Sequence, residues 1–126
     1  MNVVAAVIER DGRVLICQRK NGRHALKWEF PGGKIEHGEN PQDALARELR
    51  EELAIEARIG EELYRTEFRY GAGPLIRLKF FRVCEFQGEP VNLEFARIEW
   101  APRRRLPDYD FLDGDVEFVK QLSEAP

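Results

Sequence analysis

The stretch from Asn40 to Leu53 constrains the chain more than any other. Asn40 is a capping residue, Pro41 suits the first helical position because its missing N–H needs no partner there, and Asp43 puts a negative charge in the first turn. The spacing predicts a helix from about Pro41 to Leu53. At about 100° per residue with Leu45 at zero, Leu49 and Leu53 fall at about 40° and 80° and Ala46 at about 100°, which defines an apolar stripe. Glu52, Glu48 and Glu51 fall at about 340°, 300° and 240°, with Arg47 and Arg50 directed elsewhere. Three carboxylates therefore share one arc, and Glu52 borders the stripe.

A solvated charged face is the ordinary reading of such a helix. It fits this one poorly. Glu48 meets a glutamate at both i+3 and i+4, where like charges cost a few tenths of a kcal/mol each. A carboxylate beside the core is also desolvated, so its pKa rises unless a cation compensates. A divalent ion resolves both problems. The local donors are oxygens, with no cysteine and no histidine beyond His37, so a hard ion is expected. Mg²⁺ fits best, because it keeps positions for water and phosphate, and Mn²⁺ should substitute. Two scattered histidines and two scattered cysteines give no zinc-site spacing.

The 126 residues, 43% hydrophobic and 34% charged, suit one domain spanning 1–126 with a packed core. The net charge of −3 argues against a sequence-independent nucleic-acid binder. It remains compatible with a free nucleotide carrying its own metal. Cys17 and Cys84 lie in apolar runs and read as two buried thiols in a reducing compartment. Met1 to Glu9 lacks a basic start and alternates like a strand, so no secretory leader is expected, and no apolar run has the length of a membrane span. A cytoplasmic protein without a membrane partner is the expectation, as a monomer or homodimer.

Val3 to Glu9 and Arg13 to Gln18 read as strands joined by the hairpin signal Asp11-Gly12. Asn21 to Lys27 is a polar loop, Trp28 to Phe30 a short aromatic run, and Pro31-Gly32-Gly33 a stop to regular structure. Glu56 to Tyr70 and Leu75 to Phe86 read as long strands, and Ile98 to Trp100 as a short one. Arg103-Arg104-Arg105 falls in a loop. Asp113 to Ser123, with Val116, Val119 and Leu122 on one side, predicts a closing helix. The pattern is a mixed α/β domain with helices on the sheet faces.

The run Gly33-x5-Glu39-x7-Arg47-Glu48-Leu49-x-Glu51-Glu52-x-Ala54-Ile55 resembles the Nudix box, G-x5-E-x7-R-E-U-x-E-E-x-G-U, where U is bulky and aliphatic. Every fixed position agrees except the last glycine, which is Ala54. Trp28-Glu29-Phe30-Pro31-Gly32-Gly33-Lys34-Ile35-Glu36 is similar to the segment leading into the box in MutT-type and CTP-pyrophosphohydrolase-like members. The resemblance implies a Nudix fold, a mixed β-sheet between helices in an α/β/α sandwich. It also implies Mg²⁺-dependent hydrolysis of a nucleoside triphosphate to a monophosphate and pyrophosphate. ADP-ribose or a dinucleoside polyphosphate is an alternative substrate, and an inactive nucleotide-binding module a non-enzymatic one.

By the same resemblance, Glu48, Glu51, Glu52 and the Gly32 carbonyl bind metal, and Arg47 pairs with Glu39 to hold the start of the helix. The general base is either a box glutamate or Glu94, which would then also reach the metal. Arg19 resembles a phosphate-contacting arginine, and Lys34 is a second phosphate candidate. Phe30, Phe68 and Leu78 correspond to walls of a base pocket; each read alone is a core residue. Asp115 aligns with a base-reading position, where it would accept from an exocyclic amine such as that of cytosine, or read a purine if protonated. A first-turn or capping aspartate is the competing reading. A residue just after a helix often takes φ > 0, which costs a non-glycine residue about 1 kcal/mol, so Ala54 is expected to strain the helix end.

Overall fold

The computed structural model describes residues 1–126. Strand β1 (Asn2–Val7) carries the hydrophobic run on which everything else is built. Its Val4, Ala6 and the following Ile8 face one core cluster, while Ala5 and Val7 face another. Strand β2 (Glu9–Arg10) turns into β3 (Arg13–Gln18) through Asp11 and Gly12, at φ 54° and 76°. Positive φ at both central residues marks the tight hairpin turn that matches strand twist. In β3, Leu15 and Cys17 join the first cluster and Val14 and Ile16 the second. A strand buried on both faces reads as a continuous apolar run rather than an alternating one.

After β4 (Trp28–Glu29), the pair Gly32-Gly33 does not interrupt regular structure as the sequence led us to expect. It forms β5 (Gly32–Lys34), antiparallel to β1. A Cβ on Gly32 would lie 2.0 Å from the Val4 carbonyl oxygen, so glycine here permits backbone to approach backbone. Helix α1 (Pro41–Leu53) follows, with the Asn40 side chain accepting the Asp43 N–H at 2.8 Å as its cap. Its buried stripe is Leu45, Leu49 and Leu53 with Ala44; Ala46 is only partly buried, a correction to the expected stripe.

Long strands β6 (Glu56–Arg69) and β7 (Leu75–Gln87) pair antiparallel, with register shifts between Arg58 and Tyr64. Strand β7 runs parallel to β1, so one mixed sheet has the order β5-β1-β7-β6. Strand β8 (Arg97–Pro102) pairs with β3, completing a second, antiparallel sheet with β2 and β4. Arg103–Asp108 is a 3-10 helix rather than a loop. A 3-10 turn at Asp113–Asp115 precedes α2 (Val116–Glu124), so the closing helix starts later than expected.

Helix α1 covers the cluster of Val4, Ala6, Ile8, Leu15 and Cys17, and α2 covers that of Ala5, Val7, Val14 and Ile16 through Phe118, Val119 and Leu122. Sheets therefore lie between helices, as the resemblance implies. Cys17 is buried as expected, but Cys84 is exposed, because alternation along β7 turns Val83 inward and Cys84 outward. No helix is long and apolar enough to cross a membrane.

Candidate active site

Helix α1 ends with its free carbonyls accepting from a distant segment. The Glu52 and Leu53 carbonyls accept the N–H groups of Leu93 and Val91 at 3.0 and 2.9 Å, satisfying acceptors that have no partner within the helix. Asn92 closes the segment locally, its Oδ1 accepting the Phe95 N–H at 2.7 Å and the Glu94 N–H at 3.2 Å. The fold thus carries Glu94 to the last turn of α1, where its charge acts on Glu52.

On the sheet side, the Ala6 N–H takes the Pro31 carbonyl. Alternation along the edge strand then turns the backbone groups of Gly32 away from β1. Its N–H donates to Glu52 Oε1 at 3.1 Å, and its carbonyl faces the same outward side. A Cβ at Gly33 would fall 2.5 Å from the Glu48 carboxyl carbon, so that carboxyl rests directly on the glycine pair. Burial raises the Glu48 pKa. Burial first, and the neighbouring Glu48 charge second, push Glu52 up to about 9.

Arg47 does not point elsewhere, as the helical wheel suggested. Its guanidinium forks onto Glu39 through Nε and Nη2, at 2.8 and 2.9 Å, as the resemblance implies. It also reaches the Lys34 carbonyl at 3.1 Å, and its Nη1 donates to Glu48 and Glu51 at 3.0 Å each. The fork holds the Glu39 carboxyl down at about 2. A wheel records the direction of a Cβ and ignores the reach of a long side chain. No three acidic, histidine or cysteine side chains converge on one point. Glu48 and Glu51 instead share Arg47, which relieves their mutual repulsion. The donors at hand are carboxylate and carbonyl oxygens, the glycine pair leaves room for them, and the repulsion left between Glu48 and Glu52 is that of a site suited to a hard cation. Such an ion fits.

A cavity of about 710 Å³ opens beside this end of α1. Gly32, Lys34, Glu52 and Glu94 line it, together with Arg19, Phe30, Phe68, Leu78 and Asp115. Glu39, Arg47, Glu48 and Glu51 lie outside the lining. Phe30 and Leu78 belong to the core as well as to the wall. Asp115 is 5% exposed and stands at the N-cap position of α2, as the competing reading has it, but its side chain makes no capping hydrogen bond. Burial, and then the charge of Glu29, push its pKa up to about 8.

Glu29 is the residue that sequence reasoning missed. It lines the cavity, lies 3.6 Å from Arg19, and is pushed up to about 7 by burial. Its charge acts on both Glu52 and Asp115, which line the same cavity. The available signal was a carboxylate set between the core aromatics Trp28 and Phe30. Tyr70 and His24 also line the cavity.

A NUDIX domain family profile matches residues 1–122. A CTP pyrophosphohydrolase of Escherichia coli (strain K12) is 38% identical over 95% of this chain and 89% of its own length. An 8-oxo-dGTP diphosphatase of Haemophilus influenzae is 35% identical over 97% of this chain and 90% of its own. Among solved structures, the E. coli ORF135 protein superposes with a TM-score of 0.85 at 38% identity, covering 94% of this chain and 85% of that one. A MutT Nudix hydrolase from Burkholderia pseudomallei gives 0.86 at 26%, covering 96% and 95%. The fold and the carboxylate helix define a phosphoanhydride-hydrolase scaffold, and the chain belongs to the Nudix hydrolase family.

Proposed function

We propose that this chain is a Mg²⁺-dependent pyrophosphohydrolase that cleaves a nucleoside triphosphate to the monophosphate and pyrophosphate, with Mn²⁺ able to substitute. One observation carries the reading: a single cavity joins Glu52, Glu94 and Gly32 to Phe68, Leu78 and Asp115. A phosphate chain placed against the carboxylates leaves its base among apolar walls with one polar reader, the usual form of such a pocket. Relatives named for CTP and 8-oxo-dGTP support the same substrate class. In this reading the 126 residues act as one domain, as a monomer or homodimer, on a free nucleotide rather than a nucleic acid. Within the basic triplet, Arg105 is engaged by Asp108 and Arg103 by the Pro126 carbonyl. Free Cys17 and Cys84 support a reducing, cytoplasmic setting.

A divalent cation held by Glu48, Glu51, Glu52, Glu94 and the Gly32 carbonyl would neutralise phosphate charge and ease deprotonation of the attacking water. The chain supplies the rest. Glu39 keeps hold of the Arg47 fork and so fixes the start of α1 while Glu48 and Glu51 are freed. Arg19 and Lys34 meet the phosphates, Arg19 as a permanent fork and Lys34 as a mobile point charge. Glu94, or a box glutamate, accepts the proton of the water. Phe30, Phe68 and Leu78 exclude solvent from the base end.

Asp115 is largely protonated at neutral pH, so it both donates and accepts. That pairing suits cytosine, whose exocyclic amine adjoins a ring acceptor, so protonation does not turn the residue toward a purine as the sequence led us to expect. An oxidised guanine is the second reading, because it also offers an amine edge. A comparison of kcat/KM with Mg²⁺ for CTP, dCTP, 8-oxo-dGTP and ADP-ribose separates these substrates. Product analysis in isotopically labelled water should find pyrophosphate. Release of orthophosphate alone overturns the proposed cleavage.

A further inference from the structure

The reader of the base sits on a short 3-10 turn, and a turn of three residues does not hold its own position. Upstream, the turn is anchored by backbone: the Leu112 N–H donates to the Trp28 carbonyl at 2.9 Å, and the Trp28 N–H to the Asp110 carbonyl at 2.9 Å. At the turn itself the anchor is a side chain from the turn between β6 and β7. The Gly114 N–H donates to the Tyr70 hydroxyl oxygen at 2.9 Å.

Gly114 is buried against this ring and its neighbour. A Cβ there would lie 3.0 Å from the Tyr70 hydroxyl and 3.4 Å from Phe68. Phe68 and Tyr70 in turn pack edge to face at 4.7 Å, and His24, from the loop between β3 and β4, rests on the Tyr70 ring at 4.7 Å. The β6–β7 turn that carries Tyr70 is itself pinned, with Arg69 donating to the Gly73 carbonyl at 2.8 Å. Three segments that share no backbone pairing thus meet on one tyrosine, beside the residue that faces the base.

We infer that Tyr70 is a positioning residue for base recognition: its hydroxyl latches the Gly114 amide and thereby fixes where Asp115 presents its carboxyl in the cavity. The inference rests on the nucleotide reading above for its kinetic consequence, but not for the latch. Tyr70 acts through Asp115 and not on the phosphates, so its loss should weaken recognition of the base and leave the cleavage step alone. A hydrogen bond of this kind sets a loss of roughly three- to tenfold.

Tyr70→Phe tests it, since the ring and its packing remain and only the hydroxyl goes. The expected result is KM for the preferred nucleotide raised roughly three- to tenfold, with kcat within about twofold. KM for a triphosphate of ribose lacking a base should stay unchanged. The Gly114 amide should exchange its hydrogen faster while global stability holds. An equal loss on all substrates, a fall in kcat alone, or unaltered Gly114 exchange each overturns the latch. Should wild type cleave no nucleoside triphosphate, the proposed function fails, and amide exchange still decides the latch. Should Tyr70→Phe not fold, Gly114→Ala reads the same contact from the other side, because its methyl group displaces the turn. The same rise confined to KM is expected, and an unaltered KM overturns the inference.

Discussion

In the proposed function Glu52 carries two opposed demands in one side chain. Burial holds its pKa up at about 9, while an acceptor for a cation has to be ionised at neutral pH. The demands separate on substitution. Glu52→Gln should lower Mg²⁺-dependent kcat at least about a hundredfold, and in the presence of a chelator it should raise the melting temperature at alkaline pH, where the wild-type carboxyl ionises without a partner. Steady-state kinetics beside thermal unfolding checks both, and full turnover by the variant would show that Glu52 holds no cation needed for the reaction. Arg47 makes a different demand, for shape. Its fork spans Glu39, Glu48, Glu51 and the Lys34 carbonyl, and a lysine keeps the charge but loses the fork. Arg47→Lys is expected to lower kcat roughly ten- to a hundredfold with little change in KM. A drop in KM-limited rate alone would contradict an orienting role.

The end of α1 shows how far local sequence reaches. Asn40, Pro41 and Asp43 foretold its start, and Ala54 does take φ 56° in the left-handed region. Ala54→Gly should therefore stabilise the protein by roughly 1 kcal/mol, seen as a rise of about 3–5 °C in melting temperature, with activity intact. An unmoved melting temperature would show the strain to be relieved elsewhere. The hairpin at Asp11-Gly12 was legible for the same reason: a turn type is written in two adjacent residues. So was the apolar seam of Leu45, Leu49 and Leu53. Elements whose partners are remote were not. Strand β5 exists because β1 accepts it, and Pro31-Gly32-Gly33 alone spells a break. Glu29 looks ordinary until Arg19 and Asp115, from opposite ends of the chain, close around it. Glu94 reached its place through a loop that mends the carbonyl end of a helix forty residues away, which no window of sequence contains. The cavity lining named from resemblance converged because a family pattern stores those remote contacts as positions.

Over the whole molecule, three acids along one cavity are pushed up: Glu29 to about 7, Asp115 to about 8 and Glu52 to about 9. Each binds a proton more tightly folded than unfolded, so each favours the fold fully below its unfolded value, 4.5 for the glutamates and 3.8 for Asp115, and that contribution is lost as pH rises through the folded value. With a chelator present, the melting temperature should fall steadily from about pH 5 to about pH 9. Mg²⁺ should flatten the upper part of this curve, where it offsets the charge on Glu52. Thermal scans across pH, with and without Mg²⁺, make the comparison, and a level curve under chelation would contradict the burial of these acids. Strand β1 places a different limit on the molecule. Ala6 is fully buried in the cluster that α1 covers, so a larger residue there has no slack to expand into and disturbs the seat of the helix. Descendants of this scaffold that acquire a new nucleobase preference must therefore do so at its margins, by exchanging side chains on the turns, while Ala6 keeps the carboxylate helix still.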